Sequence, residues 1–332
     1  MKAAYFRQPG PPEVIEYGEL PSPECGPNQV LIQNAAVAVN PIDTYIRAGW
    51  IDQPATRPTI VGCDAAGTIA ALGKQVRGIS VGDRVWTTNQ GLLGRQGTFA
   101  EFAAVDAQWV YPLPAQVAFD DAAACALVGV TAHLGLIQRA QIQPGQTVCI
   151  QGAAGGVGLM VIQMAKWAKA KVIALAGSDK KCQHCRAFGA DFVLNYRDSD
   201  VWTKLREIAP AGVDLIWTTS RQPDFDPLVT ALAERGTIVL MAGREARPPF
   251  PVGPFYIKQC RMLGVVMFKA TPAELHKAAT DISGWLADGT LRAPIAVRFP
   301  LSQTAAAHRL QQAATVDLSQ ELLGKIVLMP DH

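Results

Sequence analysis

Eight consecutive residues, Gln151-Gly152-Ala153-Ala154-Gly155-Gly156-Val157-Gly158, carry the first legible chemistry of this 332-residue chain, the binding of an anion. Glycine opens φ/ψ values closed to other residues, and a missing Cβ lets main chain approach a pyrophosphate. The loop follows an apolar run, Thr147-Val148-Cys149-Ile150. It precedes a stretch to Lys169 in which Val157, Met160, Val161, Met164 and Ala168 recur at helical spacing. Strand, glycine turn and helix in that order aim free N–H groups and a positive dipole end at an anion. The stretch reads as a dinucleotide loop with Ala154, Gly155, Gly156 and Val157 as cofactor-binding candidates; a purely structural turn is the alternative.

The second strand after the loop ends Ala174-Leu175-Ala176-Gly177-Ser178-Asp179-Lys180-Lys181. An acid near this point hydrogen-bonds the ribose 2′-hydroxyl in NAD enzymes, whereas basic residues accept a 2′-phosphate. Gly177 and Ser178 stand where the acid is expected. Ser178 can donate to a phosphate, and Lys180 or Lys181 can neutralise it as a point charge. Asp179 is discordant: facing the ribose it would favour NAD, whereas in the first turn of the next helix it can simply cap that helix. The balance favours NADP(H). Cys182-Gln183-His184-Cys185 has the spacing of a zinc knuckle or thiol pair, but no second pair lies nearby. At i and i+3 of a helix the two cysteines instead pack as small hydrophobes.

The elements that must position these residues fall into two kinds. Up to about Pro114, short apolar runs alternate with turn signals: Val30–Gln33, Thr68–Ala71, Arg84–Trp86 and Thr98–Phe102 read as strands. Asp120-Asp121 then start a helix running to about Arg139. Beyond it, strands at Thr147–Ile150, Lys171–Ala176, Phe192–Leu194, Val213–Trp217, Thr237–Met241 and Met262–Val266 alternate with helical segments, the signature of a doubly wound parallel sheet. Pro272–Asp288 and Ser302–Ala313 read as helices, with strands at Ile295–Val297 and Gly324–Leu328. The expected domains are residues 1–121 with 267–332, and 122–266.

Hydrophobic residues at 49% and charged ones at 17% describe compact folding, and a net charge of +2 without a basic run excludes a nucleic-acid or membrane-surface partner. The start, Met1 to Arg7, lacks the apolar core of a signal peptide, and the apolar stretches near Ala122–Gln138 are too interrupted to read as a membrane span. Seven scattered cysteines point to a reducing, cytoplasmic setting without disulfides.

Several motifs together resemble one family. They are Asn40-Pro41-Ile42-Asp43-Thr44-Tyr45-Ile46-Arg47-Ala48-Gly49, Val61-Gly62-Cys63-Asp64-Ala65-Ala66-Gly67, Val81-Gly82-Asp83-Arg84-Val85, Gly129-Val130-Thr131-Ala132, the glycine loop, and Phe188-Gly189-Ala190-Asp191 before Asn195-Tyr196. This pattern is similar to the medium-chain dehydrogenase/reductase superfamily and, within it, to the zinc-free quinone oxidoreductases. The resemblance implies an α/β protein: a GroES-like β-rich domain plus a Rossmann domain with a doubly wound parallel six-stranded sheet, an active site in the cleft between them, and a homodimer. Zinc members place a cysteine near Asn40, a histidine at Cys63 and a cysteine shortly before Thr131. Asn40 is a poor zinc ligand, so no metal is expected.

The resemblance also assigns residues. Lys181 takes the 2′-phosphate and Tyr196 contacts the phosphoadenosine end; Thr131 lies by the nicotinamide, with Gly243, Phe268 and Lys325 on the far side. Asn40, Asp43 and Tyr45 line the catalytic cleft, Asn40 hydrogen-bonding the acceptor and Tyr45 orienting a carbonyl or donating a proton. A structural role is the alternative for Asp43 and Tyr45. One departure stands out: Trp217-Thr218-Thr219-Ser220-Arg221 replaces the usual acid and glycine after the fourth strand. Trp50, Trp86 and Asn89 are candidates to shape a pocket, or plain core. The implied activity is zinc-independent, NADPH-dependent hydride transfer to quinones or related α,β-unsaturated carbonyls. An alkene or enoyl-thioester reductase and a non-catalytic, crystallin-like NADPH-binding protein are the alternatives.

Overall fold

The computed structural model describes residues 1–51 and 58–331. The chain divides into two compact units, Met1–Val130 with Phe268–His332, and Thr131–Met267.

The first unit is β-rich. Its small sheet joins β1 (Lys2–Phe6), β2 (Glu16–Glu19) and β4 (Thr59–Ile60), all antiparallel. Its main sheet is built on β3 (Gln29–Val39), which pairs antiparallel with β5 (Asp64–Leu72), β7 (Phe102–Asp106) and β16 (Lys325–Met329). β6 (Arg84–Thr87) and β8 (Val110–Pro112) extend one side and β15 (Ile295–Pro300) the other. A core of Val37, Val39, Ala65, Phe99, Ile326 and Leu328 lies on one face. The strand expected at Thr98–Phe102 starts instead at Phe102. The carbonyls of Thr98 and Ala100 are taken by the buried Asn34 amide at 2.9 and 2.8 Å rather than by a ladder.

Helix α1 (Pro41–Arg47) follows β3 directly. Proline at its first position supplies the right φ and lacks only an N–H that would have no helical partner. Asn40 and Asp43 form a capping box that satisfies two end groups reciprocally. Helix α2 (Phe119–His133) opens with Asp120 and Asp121 at its positive end and continues as a π-helical turn to Arg139. Residues Phe119–Arg139 are long and apolar enough to cross a membrane, but 83% of their most apolar window is buried in the protein, the mark of a core helix. The two units divide inside α2, between Val130 and Thr131, rather than ahead of it. A helix apolar on all sides carries no composition break at its middle.

The second unit is the doubly wound sheet. β9 (Thr147–Gln151), β10 (Lys171–Ala176), β11 (Phe192–Asn195), β12 (Val213–Thr218), β13 (Leu232–Leu240) and β14 (Arg261–Gly264) form six parallel strands in the order β11-β10-β9-β12-β13-β14. The order reverses between β9 and β12, the point at which such sheets take a ligand beyond the carboxyl ends of their strands. Helix α3 (Gly156–Trp167) leaves from there, with Leu159, Met160, Val161, Ile162 and Met164 buried. Each such burial stabilises by about 1.5–3 kcal/mol, so the loop ahead of α3 is anchored on both sides.

Candidate functional site

Three of the four glycines of the loop, Gly152, Gly155 and Gly158, differ in what they permit. Gly152 has φ +77°, and a Cβ there would lie 2.0 Å from Thr219 Oγ1. A Cβ on Gly158 would meet the Gly152 and Ala153 carbonyls at 2.5 and 2.6 Å. Both are required by the protein's own packing. Gly155 is the N-cap of α3, and a Cβ on it would meet nothing nearer than Gly152 O at 3.5 Å. The space beside Gly155 is open, and the first intrahelical N–H bond after it is Leu159 N–H to Gly155 O at 2.9 Å. Open space at a helix N-terminus with unspent N–H groups fits a phosphate.

The departure after β12 accounts for the tightness at Gly152. Thr218 Oγ1 donates to Gln151 Oε1 at 2.5 Å, and Thr219 Oγ1 to Gln151 O at 3.3 Å. These hydroxyls tie the strand end to the first residue of the loop, where the resemblance implies an acid and a glycine.

The residues expected at the adenine end lie at the carboxyl ends of β10 and β11. Ser178 is the N-cap of helix α4 (Asp179–Ala187), and its Oγ accepts from Lys181 N at 3.3 Å. Asp179 is therefore not the cap, and it stands exposed in the first turn. A Cβ on Gly177 would lie 2.2 Å from Tyr196 Oη, so the absence of a side chain at Gly177 lets the 47% exposed Tyr196 lie across the chain. Ser178, Lys181 and Tyr196 thus meet at one corner. Cys182 and Cys185 are both buried in α4, and burial pushes the Cys185 thiol up to about 12.

Thr131 is 4% exposed within α2, and Gly243 takes a left-handed turn (φ +86°) after β13. Phe268 and Lys325 belong to the first unit. Phe268 packs against the core that contains Val37 and Leu328. Lys325 is 3% exposed, and its Nζ donates to Val39 O at 2.6 Å and to Asn40 Oδ1.

Lys325 enters a closed polar network around the start of α1. Asn40 Nδ2 donates to Asp64 Oδ2 at 2.8 Å and to Ala38 O at 3.3 Å. Thr88 Oγ1 donates to Asp64 Oδ1 at 2.7 Å, and Leu127 N to Asp64 Oδ2 at 3.3 Å. Asn40 N donates to Asp43 Oδ2 at 2.8 Å, and the Cys63 thiol to Asp43 Oδ1 at 3.0 Å. An ammonium only donates and a carboxylate only accepts, so one orientation of the Asn40 amide satisfies both. Burial pushes the Asp64 carboxyl above its usual range, with Lys325, Thr88, Asn40 and the Leu127 N–H opposing the rise. Burial also pushes Asp43 up to about 7, and Cys63 well above its ordinary range. The sequence reading gave Asn40 to the acceptor; the structure spends both ends of its amide inside the unit. Asp43 accepts from two groups of the same unit, Asn40 N and the Cys63 thiol. Asp64 and Thr88 were missed, although a lone acid amid Cys63, Ala65, Ala66 and Gly67 in a strand requires a buried partner.

Tyr45 is half-buried on α1, and its ring stacks on Trp50 at 5.4 Å and 23°. Trp50 is 55% exposed. Trp86 is core: it is 1% exposed, donates to Ser283 Oγ at 3.0 Å and lies against Tyr111. Asn89 is held by Arg95, whose Nη2 donates to Asn89 Oδ1 at 2.9 Å. Of the three candidate pocket residues, only Trp50 presents its ring.

A family model described as an alcohol dehydrogenase GroES-like domain matches residues 26–115, and one described as a zinc-binding dehydrogenase matches 156–283. A quinone oxidoreductase of Lama guanicoe is 30% identical across 99% of this chain and 97% of its own length. An Escherichia coli quinone oxidoreductase solved with NADPH superposes with a TM-score of 0.86 at 28% identity, covering 99% of this chain and 100% of that one. A structure described as an NAD-dependent alcohol dehydrogenase superposes at 0.89 with 29% identity, covering 100% of both. With its GroES-like and Rossmann parts, the chain belongs to the medium-chain dehydrogenase/reductase superfamily, quinone oxidoreductase type.

One of those descriptions names zinc, and the donor set here does not fit it. Zinc takes thiolate, imidazole or carboxylate ligands. The Asn40 amide is spent on Lys325 and Asp64, the Cys63 thiol donates to Asp43, and the Lys325 side chain already stands beside these groups. Among the described residues no three His, Cys, Asp or Glu side chains converge to hold an ion.

Proposed function

We propose that this chain is an NADPH-dependent oxidoreductase that transfers hydride to quinones or related α,β-unsaturated carbonyls without a metal ion. The observation that carries the reading is the open space beside Gly155 at the head of α3, combined with the Ser178, Lys181 and Tyr196 corner. NADPH supplies the hydride when bound. Gly155 and the N–H groups of Gly156 and Val157 take the pyrophosphate, Ser178 donates to the 2′-phosphate, and Lys181 neutralises it. Thr131 and Gly243 border the nicotinamide end.

A quinone is already electrophilic, and its reduced oxyanion is spread over the ring, so positioning does most of the work. Tyr45 orients the carbonyl or gives a proton to the oxygen that gains charge. Trp50, stacked behind it, extends a flat aromatic surface. We further propose a cytoplasmic homodimer. All seven cysteines are free thiols, β14 is an edge strand, and Val252, Tyr256 and Ile257 ahead of it are 64%, 67% and 65% exposed.

Following NADPH absorbance with benzoquinones, naphthoquinones, enones and enoyl thioesters tests the reading. Fastest turnover with quinones supports it, fastest turnover with enoyl thioesters moves the chain to the alkene reductases, and tight binding without oxidation of NADPH makes it a binding protein. Lys181→Ala should weaken NADPH roughly 10–100-fold and NADH little, as loss of one charge-assisted phosphate contact does; equal losses would remove Lys181 from the phosphate.

A further inference from the structure

The polar network at the head of α1 has an unusual wiring: the Asn40 amide is inserted between the buried ammonium of Lys325 and the buried carboxylate of Asp64. Lys325 lies on β16 near the end of the chain and Asp64 on β5, so residues remote in sequence grip one side chain. The main-chain N–H of the same Asn40 donates to Asp43, the third residue of α1, which closes the capping box. Thr88 holds the far oxygen of Asp64. Fixing the amide therefore fixes the residue from which α1 departs, and α1 carries Tyr45.

We propose that Lys325 and Asp64 are positioning residues: through the Asn40 amide they set the N-terminus of α1 and thereby the place of the Tyr45 ring. The link to turnover rests on the role given to Tyr45 above; the wiring itself does not. Lys325 moves in this account from the cofactor side, where resemblance put it, to the support of the catalytic helix.

Exchanging the amide and the acid tests the wiring. Asn40→Asp alone sets two carboxylates against each other, and Asp64→Asn alone removes the anion that balances Lys325. The double variant N40D/D64N restores one acid and one amide between the ammonium and Thr88, with the acid now on Lys325. Thermal midpoints of the four proteins form a double-mutant cycle. The expected result is that the double variant melts above both single variants. A midpoint at or below the poorer single variant would overturn the wiring.

Turnover is then read well below each midpoint. Asp64→Asn is expected to lower kcat by about tenfold or more, with the NADPH dissociation constant changed less than about twofold, because a misplaced group costs rate rather than cofactor affinity. Recovery of kcat in the double variant separates positioning from a general loss of fold. Unchanged kcat in both single variants would overturn the positioning role. If the wild-type protein oxidises no NADPH, the midpoint cycle still decides the wiring and the failure belongs to the proposed function.

Discussion

The two ends of α1, one short helix, treat buried polar groups in opposite ways. At its head, Asn40, Asp43, Cys63, Asp64, Thr88 and Lys325 give one another partners. At its tail, Arg47 is 2% exposed; its Nη2 donates to Gln312 Oε1 at 2.7 Å, while its Nε and Nη1 have no partner among the described residues. His308 beside it is fully buried, neither ring nitrogen has a partner among the described residues, and its ring meets Phe99 edge-on at 6.1 Å. Burial and the Arg47 charge push His308 down to about 3. A satisfied buried network specifies one arrangement, whereas each unmet group costs roughly 1–3 kcal/mol. Burial of a polar side chain is therefore not in itself a sign of purpose; the completeness of its partners is.

The largest test of that contrast is Lys325→Met. It strands Asp64 without its cation and should lower stability by about 3–5 kcal/mol, read by denaturant unfolding. A loss no greater than that of an ordinary surface lysine would show the head of α1 to be no more specified than its tail. His308→Leu should act in the opposite sense, raising stability by about 1–2 kcal/mol by removing two unmet ring nitrogens. A clear loss would reveal a partner for the imidazole and erase the contrast.

The smallest effects are on pH, and their signs oppose one another. Asp43 has a raised value in the fold, so its contribution is complete below about pH 4 and is lost as pH rises through about 7. His308 has a depressed value, so its contribution is present above about pH 6.5 and is lost as pH falls toward 3. Cys63, Asp64 and Lys325 face Asp43, and Arg47 faces His308. The two act over nearly the same range with opposite slopes: between about pH 4 and 6.5 Asp43→Asn should remove a fall in stability with rising pH, and His308→Leu a rise. Both substitutions changing the slope in the same direction would show that the two ends do not titrate independently.

Much of this molecule was legible before any coordinates. The glycine loop declared itself by strand, turn and helix spacing, and the sheet by the recurrence of apolar strands, because periodicity follows directly from which faces are buried. The cap at the head of α4 was legible too, since Gly177, Ser178 and Lys181 are close in the chain. What escaped was long-range. Nothing local ties Asp64 to Lys325, and no pattern says that an asparagine at the head of a helix has spent its amide. Trp86 and Trp50 look alike in sequence, yet one is core and the other exposed, a difference set by Ser283 and Tyr111 rather than by their neighbours. Thr98–Phe102 has strand composition, but a buried asparagine elsewhere claims its carbonyls.

The hydride transfer proposed for this chain needs no metal ion, because the Lys325 side chain stands at the head of α1 as the buried basic group. Stopped-flow oxidation of NADPH by a naphthoquinone, with protein dialysed against a strong chelator, tests it most directly. The expected rate is unchanged by chelation and by added zinc. A rate lost on chelation and restored by one zinc per chain would contradict it.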